Sequence, residues 1–115
     1  MEVVHRADGE RRTLATEVEV ADSLLAKARG CMFRRSVPED YALVFPFESA
    51  AARTLHMLFV PVALDAVWLV DGEVTRVERL SPWVGLGRAD ADTVLELPAG
   101  GAHGVSPGDR VAVVE

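Results

Sequence analysis

From Leu55 to Val70 the chain is almost continuously apolar, with no Lys or Arg and only His56 and Asp65 plainly polar. In a chain of this size such a run must lie in the core, so the rest of the fold is expected to wrap it. Pro61 divides the run into two strands, because proline lacks the N–H that a ladder needs. The second part, Leu64 to Val70, runs into Asp71-Gly72 and then into Val74 to Leu80, where polar and apolar residues alternate. Period two on either side of an Asp-Gly pair is a hairpin signal.

The same pattern places the other elements. Val3 and Val4 start a first strand, with Asp8-Gly9 as its turn. Arg12 to Ala21 alternates, with Leu14, Val18 and Val20 against Glu17 and Glu19, as a half-buried strand does. Asp22 or Ser23 can cap a short helix from Leu24 to Arg29, whose apolar stripe is Leu24, Leu25 and Ala28. Lys27 and Arg29 suit its last turn, and Gly30 stops it. Residues 31–40 read as a loop pinned to the core by Met32 and Phe33. Tyr41 to Phe45 reads as a strand closed by Pro46, followed by a polar, Ala-rich connection through Arg53. Ser81 to Asp92 reads as a long loop holding Trp83, Thr93 to Leu97 as a strand, and Pro98 to His103 as a helical turn. After the turn Ser106-Pro107-Gly108-Asp109, Arg110 to Val114 closes the chain. The expected fold is α+β, mostly β: a small antiparallel sheet rolled into a partly open barrel or sandwich, with one short helix near 22–29.

Length and composition narrow the classes. A chain of 115 residues, half of them apolar, reads as one globular domain spanning 1–115. Eighteen acids against twelve bases give a net charge of −6. That balance argues against nucleic acid or an anionic membrane as partner, both of which need a basic face. Lys27 is the only lysine, every other base being Arg. An acidic, lysine-poor surface fits either a halophile's adaptation to high salt or a GC-rich genome, and composition leaves both open. Cys31 is the only cysteine, so neither an internal disulfide nor a CxxC motif exists. The N-terminus has no basic end leading into an apolar core, and the central run is too short and broken to span a bilayer. The expected location is cytoplasmic.

Four ordered blocks carry a resemblance. They are Ala28-Arg29-Gly30-Cys31-Met32-Phe33-Arg34, Leu43-Val44-Phe45-Pro46-Phe47, Met57 with Leu64-Asp65, and Val94-Leu95-Glu96-Leu97-Pro98-Ala99-Gly100. Over roughly residues 15–114 the chain resembles the prokaryotic family catalogued as domain of unknown function 192. The resemblance implies a compact β-rich fold and no established activity. This chain departs from the family at Cys31, where Leu is usual, at His56 (Trp), at Phe59-Val60 (Asn-Thr) and at Ala63 (Pro).

The candidate chemistry is sparse. His56 and Asp65, if they faced each other, would make the base-and-orienter half of a hydrolytic site, though no G-x-S-x-G elbow supplies a nucleophile. Cys31 lies near Arg29, Arg34 and Arg35, but a helix C-terminus opposes a thiolate, which favours a core cysteine. No His, Cys or Asp pair has the short spacing of a zinc or EF-hand site, so neither metal nor cofactor is expected. Arg forks suit a carboxylate or phosphate. The expected pocket therefore combines Arg29, Met32, Arg34, His56, Asp65 and Trp83. The first functional reading is a non-enzymatic module, binding a small anionic ligand or acting as an accessory domain. Two alternatives stand beside it, a small hydrolase using His56 and Asp65 and an interaction module working through edge strands or Trp83, as a monomer or weak homodimer.

Overall fold

Eight strands and one helix follow in the order β1 (Glu2–Ala7), β2 (Glu10–Ala15), β3 (Glu17–Val20), α1 (Leu24–Arg29), β4 (Tyr41–His56), β5 (Leu64–Val70), β6 (Glu73–Leu80), β7 (Leu86–Pro98) and β8 (Arg110–Val114). The structure, a computed structural model, describes residues 1–115, apart from the side chains of Leu24 and Leu25. All eight strands join one sheet in the order β2-β1-β8-β6-β5-β7-β4-β3.

The sheet is mixed rather than purely antiparallel, because β3 runs parallel to β4, from Glu17 opposite Tyr41 to Val20 opposite Val44. A parallel pair needs a crossover, and α1 with the loop after it supplies one. The edge strands β2 and β3 are consecutive in the chain and separated by Thr16 alone. The sheet must therefore roll until its two edges lie within one residue of each other. The amides of Thr16 and Glu17 both donate to the Asp40 carbonyl at 2.9 Å. No ladder joins β2 to β3, so the roll stops short of a closed barrel. The single strand expected over Arg12 to Ala21 is thus two strands, broken where the chain changes edges.

Alternation along the central strands creates two apolar clusters, one on each face. Tyr41, Leu43 and Phe45 of β4, Leu64, Ala66 and Trp68 of β5 and Val94 of β7 belong to the first. Ala42, Val44, Val67, Leu69, Leu95 and Leu97 belong to the second. Cys31, Met57 and Val60, from the loops after α1 and β4, complete the first cluster. Val3, Val111, Ala102 and Val105 complete the second. Fully buried Trp68 donates its indole N–H to the Arg53 carbonyl at 2.9 Å. A Cβ at Gly87 would lie 2.7 Å from the Trp68 ring, so only glycine lets β7 approach it.

The helix matches the sequence expectation. Ser23 Oγ accepts from the Ala26 amide at 3.0 Å, and Gly30 turns the chain out at φ +49°. Of its expected apolar stripe, Ala28 is exposed, and the Leu24 and Leu25 side chains lie outside the described residues. β4 does not close at Pro46. The register shifts between Pro46 and Ala51, a place where proline's missing N–H is tolerated, and pairing with β7 resumes from Ala51–Ala91 to His56–Leu86. The expected connection through Arg53 is therefore strand, and the expected loop over Ser81 to Asp92 shrinks to residues 81–85. Cross-strand pairing overrides the low β-propensity of Ala, Asp and Gly there. The first of the two strands expected around Pro61 is only the tail of β4, and residues 57–63 are irregular.

Asp65 clamps the second face. Buried, it accepts from Arg79 Nε at 2.9 Å and from the amides of Gly100 at 3.0 Å and Ala102 at 3.1 Å. It therefore holds the turn after β7 against β5. Replacing Asp65 with Ala strands those two amides and is expected to remove about 2–4 kcal/mol of stability in urea denaturation. A loss below about 1 kcal/mol would contradict the clamp.

Candidate functional site

Gly30 ends α1 and swings the chain back over the first face of the sheet. Between that turn, β4 and β7 opens a cavity of about 300 Å³. This is the lower end of the range for small-molecule pockets. Phe45, Val94 and Met32 make its apolar lining, with Leu55 and Val60 beside them. Lys27, Arg29, Arg53 and His56 also line it and bring the basic groups.

The acid in this cavity is Glu96. It belongs to β7, where Val94 and Glu96 face the helix side while Leu95 and Leu97 face the opposite cluster. It is only 3% exposed. Three buried side-chain oxygens lack a hydrogen bond among the described residues: Tyr41 Oη, Glu78 Oε2 and Glu96 Oε1. Glu78 Oε2 has Arg76 Nη2 at 2.7 Å, and the Tyr41 ring has the Arg34 guanidinium 5.0 Å from its centroid. Glu96 Oε1 has no such neighbour among the described residues, and its residue lines the cavity. A Cβ at Gly30 would come within 3.1 Å of that oxygen. Glycine there keeps the carboxyl clear, and its positive φ would strain any other residue.

Burial pushes the Glu96 carboxyl up from 4.5 to about 7, against a smaller downward pull from the Cys31 thiol and Arg34. The Cys31 thiol is pushed up by burial and by the Glu96 charge. It is therefore a protonated core thiol and not a nucleophile.

The groups around the mouth differ in how firmly they are held. The Arg53 guanidinium lies 4.0 Å from the Phe47 ring centroid and donates to the Ser49 carbonyl at 2.7 Å. Lys27 Nζ lies 4.6 Å from the same centroid. Among the described residues neither Lys27 nor Arg29 has a carboxylate partner, since the ion pairs are His5–Asp109, Arg34–Glu19, Arg76–Glu78 and Arg79–Asp65.

Of the six residues expected to share a pocket, Arg29, Met32 and His56 meet at this cavity. The other three do not. Arg34 lines a neighbouring depression beside Arg29 and pairs with Glu19 at 3.3 Å. Asp65 points to the opposite face of the sheet, one step out of phase with Leu64 and Ala66. It cannot orient His56, whose Nδ1 instead accepts from the Leu58 amide at 3.2 Å. The hydrolytic pair is therefore absent. Glu96 escaped the sequence reading, although an acid in phase with Val94 inside an apolar strand was a visible signal.

Trp83 joins a different feature. The Phe33 amide donates to the Phe59 carbonyl at 2.7 Å, and the Trp83 amide to that of Val60 at 3.0 Å. These bonds tie three loops into one cap. The Phe33 and Phe59 rings stack at 5.4 Å, so Phe33, expected to pin its loop to the core, is instead 68% exposed. Leu58, Trp83, Val84 and Leu86 of the same loops and the adjoining strand start are exposed as well.

The comparisons with known proteins agree with one another. The profile of domain of unknown function 192, described as "Uncharacterized ACR", matches residues 3–113. A UPF0127 protein of Pyrococcus horikoshii is 33% identical over 101 residues, covering 83% of this chain and 85% of its own. A UPF0127 protein of Pyrococcus furiosus is 31% identical over 106 residues, covering 87% of this chain and 89% of its own. Among solved structures, a putative transcription regulator from Sinorhizobium meliloti superposes with a TM-score of 0.85 at 29% identity, covering 96% of this chain and 92% of that one. A protein of unknown function from Novosphingobium aromaticivorans gives 0.82 at 23% identity, covering 97% and 84%, a likeness of fold.

The Glu96 carboxyl carries a pH signature. Its folded value lies above its ordinary one, so the folded chain holds this proton more tightly. Its contribution to stability is intact below pH 4.5 and is lost as pH rises towards and through about 7. The loss approaches about 3 kcal/mol above that range. Relative to wild type, Glu96→Gln is expected to gain about 3 kcal/mol between pH 4.5 and pH 8 in denaturant titrations. A difference that does not change with pH would show that the carboxyl is hydrated.

Proposed function

The chain belongs to the family of domain of unknown function 192, and on that footing we propose that it is a non-enzymatic small-ligand-binding module whose site is the cavity over Glu96. One observation carries the reading: a carboxyl buried from water lines this cavity with one oxygen that has no hydrogen-bond partner among the described residues. Leaving a buried acceptor without a partner costs about 1–3 kcal/mol, a cost that a bound ligand would offset. The ligand is a small anion. Lys27 and Arg29 stand at the cavity without carboxylate partners among the described residues, and the apolar lining suits a short hydrocarbon body. Nucleic acid is not among the proposed partners, because acids outnumber bases by eighteen to twelve.

The aromatic cap supports a second reading, an interaction module whose partner is a second copy of this chain. Phe33, Phe59 and Trp83 present apolar area that water does not favour. A two-fold would let the same cap cover itself.

Two measurements test these readings. A thermal-shift panel of small carboxylates and phosphates is expected to raise Tm for at least one member, by an amount corresponding to about 2.7 kcal/mol at a hundredfold excess over Kd. Arg29→Ala is expected to remove most of the rise, and a panel without a hit would overturn the ligand reading. For the cap, sedimentation velocity is expected to show mass rising with concentration in the wild type but not in Trp83→Ser. A monomer at every concentration would contradict the homodimer.

A further inference from the structure

We infer that Glu96 is the group by which the cavity chooses its ligand, and that the ligand class is a small amino or hydroxy acid, anionic at its outer end and carrying an N–H or O–H donor at its inner end. The inference rests on the ligand-binding reading above and adds the chemistry of the inner end.

The cavity is asymmetric. Lys27 and Arg29 at its mouth are cations with no carboxylate partner among the described residues, and Arg53 and His56 stand on the β4 side. Further in, Phe45, Val94 and Met32 offer no hydrogen bond. The polar side chains at the inner end are Glu96, with its free Oε1, and Cys31, whose protonated thiol lies against the carboxyl. Apart from Cys31, the charge acting on Glu96 is Arg34, which is engaged by Glu19. Glu96 Oε1 is thus an acceptor with no hydrogen-bond donor among the described residues.

Each simpler ligand class meets an obstacle. A plain fatty carboxylate satisfies the mouth but leaves Oε1 unpaired. A dicarboxylate puts a second anion against Glu96 in a poorly hydrated space, where like charges repel strongly. A plain amine meets the basic mouth. A molecule with an anion at one end and a donor at the other satisfies both ends.

The donor's identity sets the proton balance. A hydroxyl donates to Glu96 and keeps its own proton. An ammonium pairs with the ionised carboxylate, so wherever Glu96 is protonated in the free protein, binding sends that proton to the buffer. No covalent bond forms or breaks.

Four probes of matched length test this: pentanoate, 5-aminopentanoate, 5-hydroxypentanoate and glutarate, titrated calorimetrically into the full chain at pH 8. A hydrogen bond to a charged group is worth about 1.5–3 kcal/mol, so the amino or the hydroxy probe is expected to bind about tenfold or more tighter than pentanoate, with glutarate weakest. In Glu96→Gln that advantage is expected to shrink severalfold while pentanoate keeps its affinity. At pH 6.5, titration of the wild type in buffers of different ionisation enthalpy adds a readout that needs no variant. Proton release with 5-aminopentanoate identifies an amino acid as the ligand class, and tight binding of 5-hydroxypentanoate without release identifies a hydroxy acid. Equal affinity for all four probes, or an advantage that survives Glu96→Gln, overturns the assignment of Glu96. If pentanoate alone binds and Arg29→Ala weakens it, the cavity stands as an anion site and only the inner-end chemistry falls. If none of the four binds, both fall.

Discussion

Strand β5 loses water on both faces, since Leu64, Ala66 and Trp68 pack into one apolar cluster while Val67 and Leu69 pack into the other. Each such Leu or Val contributes about 1.5–3 kcal/mol when fully buried. That gain exists only if something covers each face. The β1–β2 hairpin, β8 and the turn after β7 cover one; α1 and the loops after it and after β4 cover the other. A sheet buried on both sides also cannot lie flat, and the meeting of β2 and β3 at Thr16 shows how far it rolls. The neighbouring strand β7 shares the same alternation. Val94 therefore faces the helix side, and so, two residues on, does Glu96. The desolvated carboxyl is a consequence of the packing that makes the fold.

Much of this was legible in the chain, and the parts that were not have physical reasons. The β5–β6 hairpin was readable because Asp71-Gly72 and the alternation on either side point to one structure. The helix was readable from Asp22 or Ser23 as a cap, Lys27 and Arg29 in the last turn and Gly30 as the stop. The second half of β4 and the first half of β7 were not, because Ala51, Ala52, Ala89 and Asp90 have no preference for strand and pair only because each supplies the other's partner. The parallel pairing of β3 was hidden for a related reason: no local signal distinguishes an edge strand that turns back from one that changes edges.

The functional residues divide in the same way. Arg29, Met32 and His56 were assigned to a pocket and do meet at one. Asp65 was assigned with them because it is polar in an apolar run, but the period of two sends it to the other face, where it ties down the turn at Gly100 and Ala102. The same reasoning applied to β7 would have singled out Glu96. Trp83 stands exposed on the cap with Phe33 and Phe59 instead of closing the cavity. At the family's departures, His56 and Phe59 replace what the resemblance implies to be Trp and Asn. His56 lines the cavity and Phe59 joins the cap, whereas Cys31 and Val60 lie in the first apolar cluster, so the departures reach both surface and interior.

The central claim is that Glu96 is a carboxyl held out of water beside the cavity, with one oxygen unpaired among the described residues. Carbon-13 NMR of glutamate side-chain carboxyls over a pH series tests it most directly. The account predicts one glutamate, removed by Glu96→Gln, whose midpoint lies near 7 and stands apart from the rest. A midpoint for Glu96 near the ordinary 4.5 would mean that water already fills its place, and would contradict the account.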